Sequence, residues 1–229
     1  MGSPPPAPGT PPDQLLLDFG PPPAPTLHDF VVGSNAECVA TLAALSGSPA
    51  RVAPLDACTH RFVYVWGPSG SGKTHLARAL SSSPSARAGR LEVADDCDRL
   101  DTAGQVALFH RFNELLATPG AALVAFGAEA PGRLSLIPEL SSRLAWGIVF
   151  ALAPLDEDAL REALRAAARD RGAPLDEEVI AWLLRHTRRD MRSLRRILDR
   201  LDRLSLQRQR RISLALLREL RRQDERPLR

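Results

Sequence analysis

The 229-residue chain is short of lysine, cysteine and aromatic residues, and each shortage excludes something. Three cysteines, Cys38, Cys58 and Cys97, are an odd number spread far apart with no CxxC pair. That excludes a disulfide framework and a zinc knuckle, and leaves reduced, structural thiols. Aromatics make up only 5% of the chain while Leu and Ala abound, which favours helices over a β-sandwich or barrel. No stretch approaches the ~18 to 20 apolar residues a bilayer span needs, and no basic segment followed by an apolar run opens the chain. The expectation is a soluble, cytoplasmic protein without membrane partners. What is present, 44% hydrophobic and 25% charged residues, excludes disorder of the whole chain and suffices for one α/β core plus a small second module.

Of the 30 basic residues, 29 are Arg and one is Lys73. A position that keeps lysine against such a bias needs a compact ammonium on a flexible stem, which a planar guanidinium cannot imitate. Charge is also uneven. Residues 185–229 hold 16 Arg against six acids, a local +10 within a net +3, so the first 184 residues carry −7. This reads as the solvated faces of lid helices, with nonspecific phosphate binding as the alternative; no sequence-specific DNA binding is expected.

Ten of the 20 prolines fall in residues 1–25, which predicts an extended tail. One apolar island interrupts it, Gln14-Leu15-Leu16-Leu17-Asp18-Phe19, and such an island in a disordered tail usually docks onto a partner. Ser34 with Glu37 reads as a capping box for a helix to Leu45, and 61–66 as a buried strand. A helix from Gly72 to Leu80, a loop over 81–89 and a short strand at 91–94 follow. Thr102 with Gln105 reads as a second capping box, for a helix to Ala117. A strand at 121–126, a helix at 139–144 and a strand at 148–152 complete a parallel-sheet pattern. From residue 156 on, four helices are expected, over 156–171, 176–187, 190–206 and 213–222. The domains read as a tail (1–25), an α/β core (26–152) and a helical lid (153–229).

Gly67-Pro68-Ser69-Gly70-Ser71-Gly72-Lys73-Thr74 is GxxxxGK[ST] in full, after a strand and opening a helix. Its glycines let successive backbone N–H groups face a phosphate at a helix N-terminus. Lys73 would reach the β- and γ-phosphates, and the Thr74 hydroxyl would take a Mg²⁺ site. The strand ending Leu91-Glu92-Val93-Ala94-Asp95-Asp96 resembles a Walker B strand, with Asp95 holding Mg²⁺ through water and Asp96 polarising the attacking water.

These two motifs, with Ser142-Arg143-Leu144-Ala145-Trp146-Gly147, Arg189-Asp190-Met191-Arg192-Ser193-Leu194 and the segment from Thr26 to Asn35, resemble the AAA+ ATPases of the DnaA group. Within that group, the short chain and the QLxLxF peptide are similar to the Hda family of DnaA regulatory inactivators. The resemblance implies a P-loop AAA+ core plus an all-α lid, with ADP or ATP and Mg as ligands. It places Val31 and Val32 at the adenine, His75 beside the phosphate loop, and Arg192 as the sensor 2 arginine. It makes Arg143 an arginine finger that enters a neighbouring subunit's nucleotide; the plain alternative is an arginine capping a short helix. In the tail it implies that Gln14 bonds to the DNA polymerase sliding clamp while Leu15, Leu17 and Phe19 anchor.

Two departures bear on these expectations. Only 22 residues separate Lys73 from Asp95, too few for the second strand and helix usual there, so a four-stranded sheet lacking that edge strand is expected. At sensor 1, Glu129 and Ala130 stand where the group commonly has Asp and Arg, which argues for weak hydrolysis by the chain itself. The implied function is negative regulation of replication initiation, with the sliding clamp and DnaA as partners and a homodimer left open. The alternatives are a loader or remodeller of a replication partner that uses its own hydrolysis, and a non-catalytic nucleotide-dependent clamp adaptor.

Overall fold

The computed structural model describes residues 25–47 and 61–224. The Gln14–Phe19 island and Cys58 lie outside the described residues.

Helix α1 (Ala36–Leu45) precedes strand β1 (Phe62–Trp66), which leads through the glycine-rich loop into α2 (Lys73–Ser81). A one-turn helix, α3 (Pro84–Arg87), precedes β2 (Leu91–Ala94), α4 (Thr102–Ala117), β3 (Ala122–Gly127), α5 (Pro138–Trp146) and β4 (Ile148–Ala151). The four strands pair in parallel in the order β2-β3-β1-β4. This is the four-stranded sheet expected from the sequence, with β2 at one edge and β4 at the other. The 22-residue interval between Lys73 and Asp95 accommodates only α2, α3 and β2.

Strand period two sorts the sheet into two faces. Val63, Val65, Val124, Phe126 and Leu91 point to the α1 and α2 side with Leu42, Leu76 and Leu80. Phe62, Tyr64, Leu123 and Ala125 point to the α4 and α5 side with Phe112, Leu140 and Leu144. Both central strands are covered on both faces, which is why β1 and β3 read as unbroken apolar runs. The edge strand β4 alternates, leaving Val149 exposed.

The remaining helices, α6 (Glu157–Asp170), α7 (Glu177–His186), α8 (Met191–Arg208) and α9 (Leu214–Asp224), bury a separate core. Leu194, Leu198, Leu201 and Leu204 supply the inward stripe of α8 at helical spacing, as the sequence predicts. Among the described residues no helix is long and apolar enough to cross a membrane.

Three local expectations are corrected. Ser34 and Glu37 form no capping box, because Asn35 is the N-cap of α1 and its side chain is used elsewhere. Asp101, not Thr102, caps α4 by accepting the Gly104 N–H at 2.8 Å; Gln105 instead bonds Leu100 O and the Ile137 N–H. The stretch 81–89 is not all loop, since Ser83 accepts from the Ala86 N–H and Pro84 starts α3.

Candidate functional site

The carboxyl ends of the parallel strands carry the chemistry-bearing loops, where open α/β sheets bind ligands. After β1, the chain turns through Gly70 (φ 88°) and Gly72 (φ 104°) into α2. Gly72 is the N-cap of α2 and provides no side-chain cap, so the first-turn N–H groups of α2 have no side-chain cap among the described residues. Ser71 Oγ is buried and has no hydrogen-bond partner. A buried hydroxyl without a partner, uncapped helix N–H groups and left-handed glycines together fit an anion of phosphate type. Thr74 follows on the first turn of α2, half-buried.

Lys73 Nζ donates to the carbonyls of Gly67 at 2.5 Å and Pro68 at 3.0 Å, within the loop itself. Burial lowers its pKa, and the negative charges of Asp98, Asp96 and Asp95 oppose that shift. The charges of three carboxylates thus act on the ammonium, of which the sequence motif names two. Asp95 is half-buried and accepts the Asp96 N–H at 3.0 Å; Asp96 is exposed in left-handed backbone at φ 51°. Asp98 accepts the Ala128 N–H at 3.0 Å and so ties the turn after β2 to the loop after β3. The signal that could have found it is its place three residues past Asp95 on a 3₁₀ turn. In that same β3 loop Tyr64 Oη donates to Glu129 O at 2.9 Å, while the Glu129 side chain stands exposed.

The segment 25–33 lies against the start of α2. A Cβ on Gly72 would come within 2.6 Å of the Phe30 ring, so glycine is what lets that ring seat there. His75 Nε2 pairs with Thr26 O at 3.0 Å, and its ring sits 5.7 Å from Phe30. Burial, more than the neighbouring charges of Arg195 and Arg192, lowers the His75 pKa. Val31 and Val32 are half-buried in this segment.

The lid closes the other side. The N-cap of α8, Asp190, accepts the Ser193 N–H at 2.8 Å, and its Cβ lies 3.0 Å from where a Cβ on Gly70 would be. Arg195 Nη2 donates to Asp29 O at 3.2 Å. Arg192 is exposed, with its charge felt at His75. Arg195 and Phe30 are contacts that sequence reasoning does not single out. The hinge is fixed by Asn35, whose Nδ2 donates to Ala153 O at 3.0 Å and whose Oδ1 accepts the Ala153 N–H at 2.9 Å.

Arg143 stands apart from this constellation. Helix α5 runs back toward the amino end of the sheet, and the guanidinium lies 5.8 Å over the Phe112 ring, in a crevice shared with Phe62 and Leu144. Trp146, 40% exposed, packs edge-on to Phe62 and Phe112 beside it.

Comparison with known proteins sets this geometry in context. Residues 156–220 match the family model described as Hda, lid domain. The structure resembles domain III of the replication initiation protein DnaA from Thermotoga maritima with TM-score 0.67 and 22% identity, over 86% of this chain and 96% of that one. It resembles AMPPCP-bound DnaA from Aquifex aeolicus with TM-score 0.63 and 21% identity, over 80% and 66%. The RuvB Holliday junction branch migration motor from Thermotoga maritima aligns with TM-score 0.58 and 19% identity, over 85% and 70%.

Proposed function

We propose, from the match of residues 156–220 to the Hda lid-domain model and a core whose fold resembles that of DnaA, that the chain is an Hda-like negative regulator of DNA replication initiation acting on DnaA. In this reading residues 1–25 are a tether, in which Gln14, Leu15, Leu17 and Phe19 bind the sliding clamp on DNA. Residues 26–152 and 153–229 are core and lid, which close on an adenine nucleotide in the cytoplasm. The phosphates lie on the Gly67–Thr74 loop with Lys73, His75 stands beside that loop, Arg192 approaches from the lid, and Val31 and Val32 flank the base. Thr74 and, through water, Asp95 would hold Mg, whose charge would offset that of the phosphates. The chain's own residues bind and orient the nucleotide, with Asp96 at the water position. Glu129 and Ala130 at the sensor 1 loop keep turnover by this chain weak, so it works chiefly as an activator of another subunit.

The observation that carries this reading is the position of Arg143. It lies beside Phe62, at the start of β1, whereas the phosphate loop begins after Trp66 at the other end. Four residue steps at ~3.3 Å separate these ends by about 13 Å of strand alone, so Arg143 is available to a second protein's nucleotide rather than to its own. A guanidinium delivered to the transferring phosphoryl group accelerates its hydrolysis by ~10³ to 10⁵ where such fingers have been removed. The test is hydrolysis of DnaA-bound ATP with DNA-loaded clamp. Wild type should stimulate it, while Arg143→Ala and the Gln14→Ala/Leu15→Ala pair should each fail. A wild type that binds nucleotide and clamp yet leaves hydrolysis unchanged sinks the proposal and favours the adaptor.

A further inference from the structure

We propose that the outward face of helix α8 is a binding surface for the sugar-phosphate backbone of duplex DNA. With Leu194, Leu198, Leu201 and Leu204 buried, the ~100° turn per residue puts Arg196, Arg200 and Arg203 within an arc of about 60° on the opposite side. All three are exposed. They span about 10 Å of helix at ~1.5 Å per residue, a length along which one strand of B-DNA presents about three phosphates. Arg188 precedes the row, and Arg210 and Arg211 follow it, all exposed.

What lies around the row matters as much. Asp199 is the acid nearest the arc, and its carboxylate is occupied by Arg171, whose Nη2 donates to it at 2.7 Å and Nε at 3.1 Å. The only other residue of α8 on the arc is Gln207, so the arc has no aromatic ring to stack on unpaired bases; the exposed Leu206 lies about 60° outside it and stands alone, too little apolar surface to enter a bilayer. These absences favour a duplex backbone over a single strand or a membrane. Charge on the lid is also segregated: residues 156–178 hold eight acids against four Arg, whereas 185–222 hold 14 Arg against four acids. Such a dipolar module turns its basic side toward a polyanion. The contact carries no base readout, in keeping with a face that offers charge alone.

The surface does not include Arg143, and its test needs neither clamp nor DnaA, so its failure leaves the proposed function standing. The full chain is titrated into a fluorescein-labelled duplex of about 20 bp and arbitrary sequence, read by anisotropy between about 50 and 200 mM NaCl. Three phosphate contacts predict a slope of about −2.7 in log affinity against log salt, or ~40-fold weakening across that range, the same for a shuffled sequence. Arg196→Gln/Arg200→Gln/Arg203→Gln should remove most of that slope, whereas the corresponding triple lysine variant should keep most of it. Arg192, which the proposed function assigns to the nucleotide, is not part of the row and is left intact. No binding at the lowest salt overturns the proposal, as does a wild-type slope in the glutamine variant. Binding confined to single strands, or to phosphatidylglycerol vesicles without duplex binding, overturns it equally.

Discussion

Asn35→Ala tests whether core and lid are held by one buried amide. The side chain is only 5% exposed and closes a two-way bond with the Ala153 backbone across 118 residues of sequence. Truncation removes two hydrogen bonds worth about 0.5 to 1.5 kcal/mol each. It also strands the Ala153 N–H and C=O, at ~1 to 3 kcal/mol for each group that water does not reach. Ala153 is half-buried, so partial solvation holds the total to about 2 to 4 kcal/mol. At ~2 to 4 °C per kcal/mol for a chain of this size, melting should fall by about 5 to 15 °C. Urea denaturation monitored by far-UV circular dichroism gives the free energy directly. Asn35→Asp should not rescue at neutral pH, since its carboxylate would accept the Ala153 N–H but oppose the Ala153 carbonyl. A loss below about 0.5 kcal/mol for Asn35→Ala, within the range of an ordinary surface change, would refute the hinge argument.

Three further outcomes are expected. A Cβ on Gly127 would collide with the Tyr64 hydroxyl and ring, so Gly127→Ala should cost about 1 to 3 kcal/mol. Adding Tyr64→Phe should recover part of that, and a double-mutant cycle in urea that finds the two changes additive would contradict the contact. His75 has a folded pKa below its ordinary value of 6.5 because burial disfavours its charged form. The unfolded chain therefore binds the proton more readily, and stability present above pH 6.5 is lost as pH falls through and below that value. His75→Gln should flatten the stability slope between about pH 7.5 and 5, and an unchanged slope would assign it elsewhere. Finally, ADP at about 100 times its dissociation constant should stabilise wild type by about 2.7 kcal/mol, read as a thermal shift. Lys73→Ala should abolish the shift at that concentration, and an undiminished shift would remove Lys73 from the phosphate site.

The parts determined by sequence alone share a physical reason: they depend on contacts between near neighbours. The GxxxxGK[ST] spacing needs only a strand before it and a helix after it, and both form where expected, as β1 and α2. The four-strand sheet followed from a count, because 22 residues cannot supply another strand and helix. The α8 leucines announced a buried stripe through helical period alone. Even here local chemistry misled where several candidates crowd together. Asp101 outcompeted Thr102 as a cap, and Ser83-Pro84, a cap followed by proline at the first helical position, was hidden in a serine run.

Tertiary structure alone decided which distant groups meet. Sequence reading gives the cap of α1 to Ser34 and no role to Asn35 until the fold brings Ala153 to it, where the buried amide bonds both groups of one peptide residue. Asp98 reads as one acid among several until the β2-β3 pairing sets it beside Ala128 and within the field of Lys73. Arg143 is legible as an arginine near a helix end. Only the return of α5 to the amino end of the sheet carries it to Phe112, away from the loop that holds Lys73. The row on α8 has a helical period from the outset. Its outward direction was settled only when the leucine face was buried and Arg171 took up Asp199.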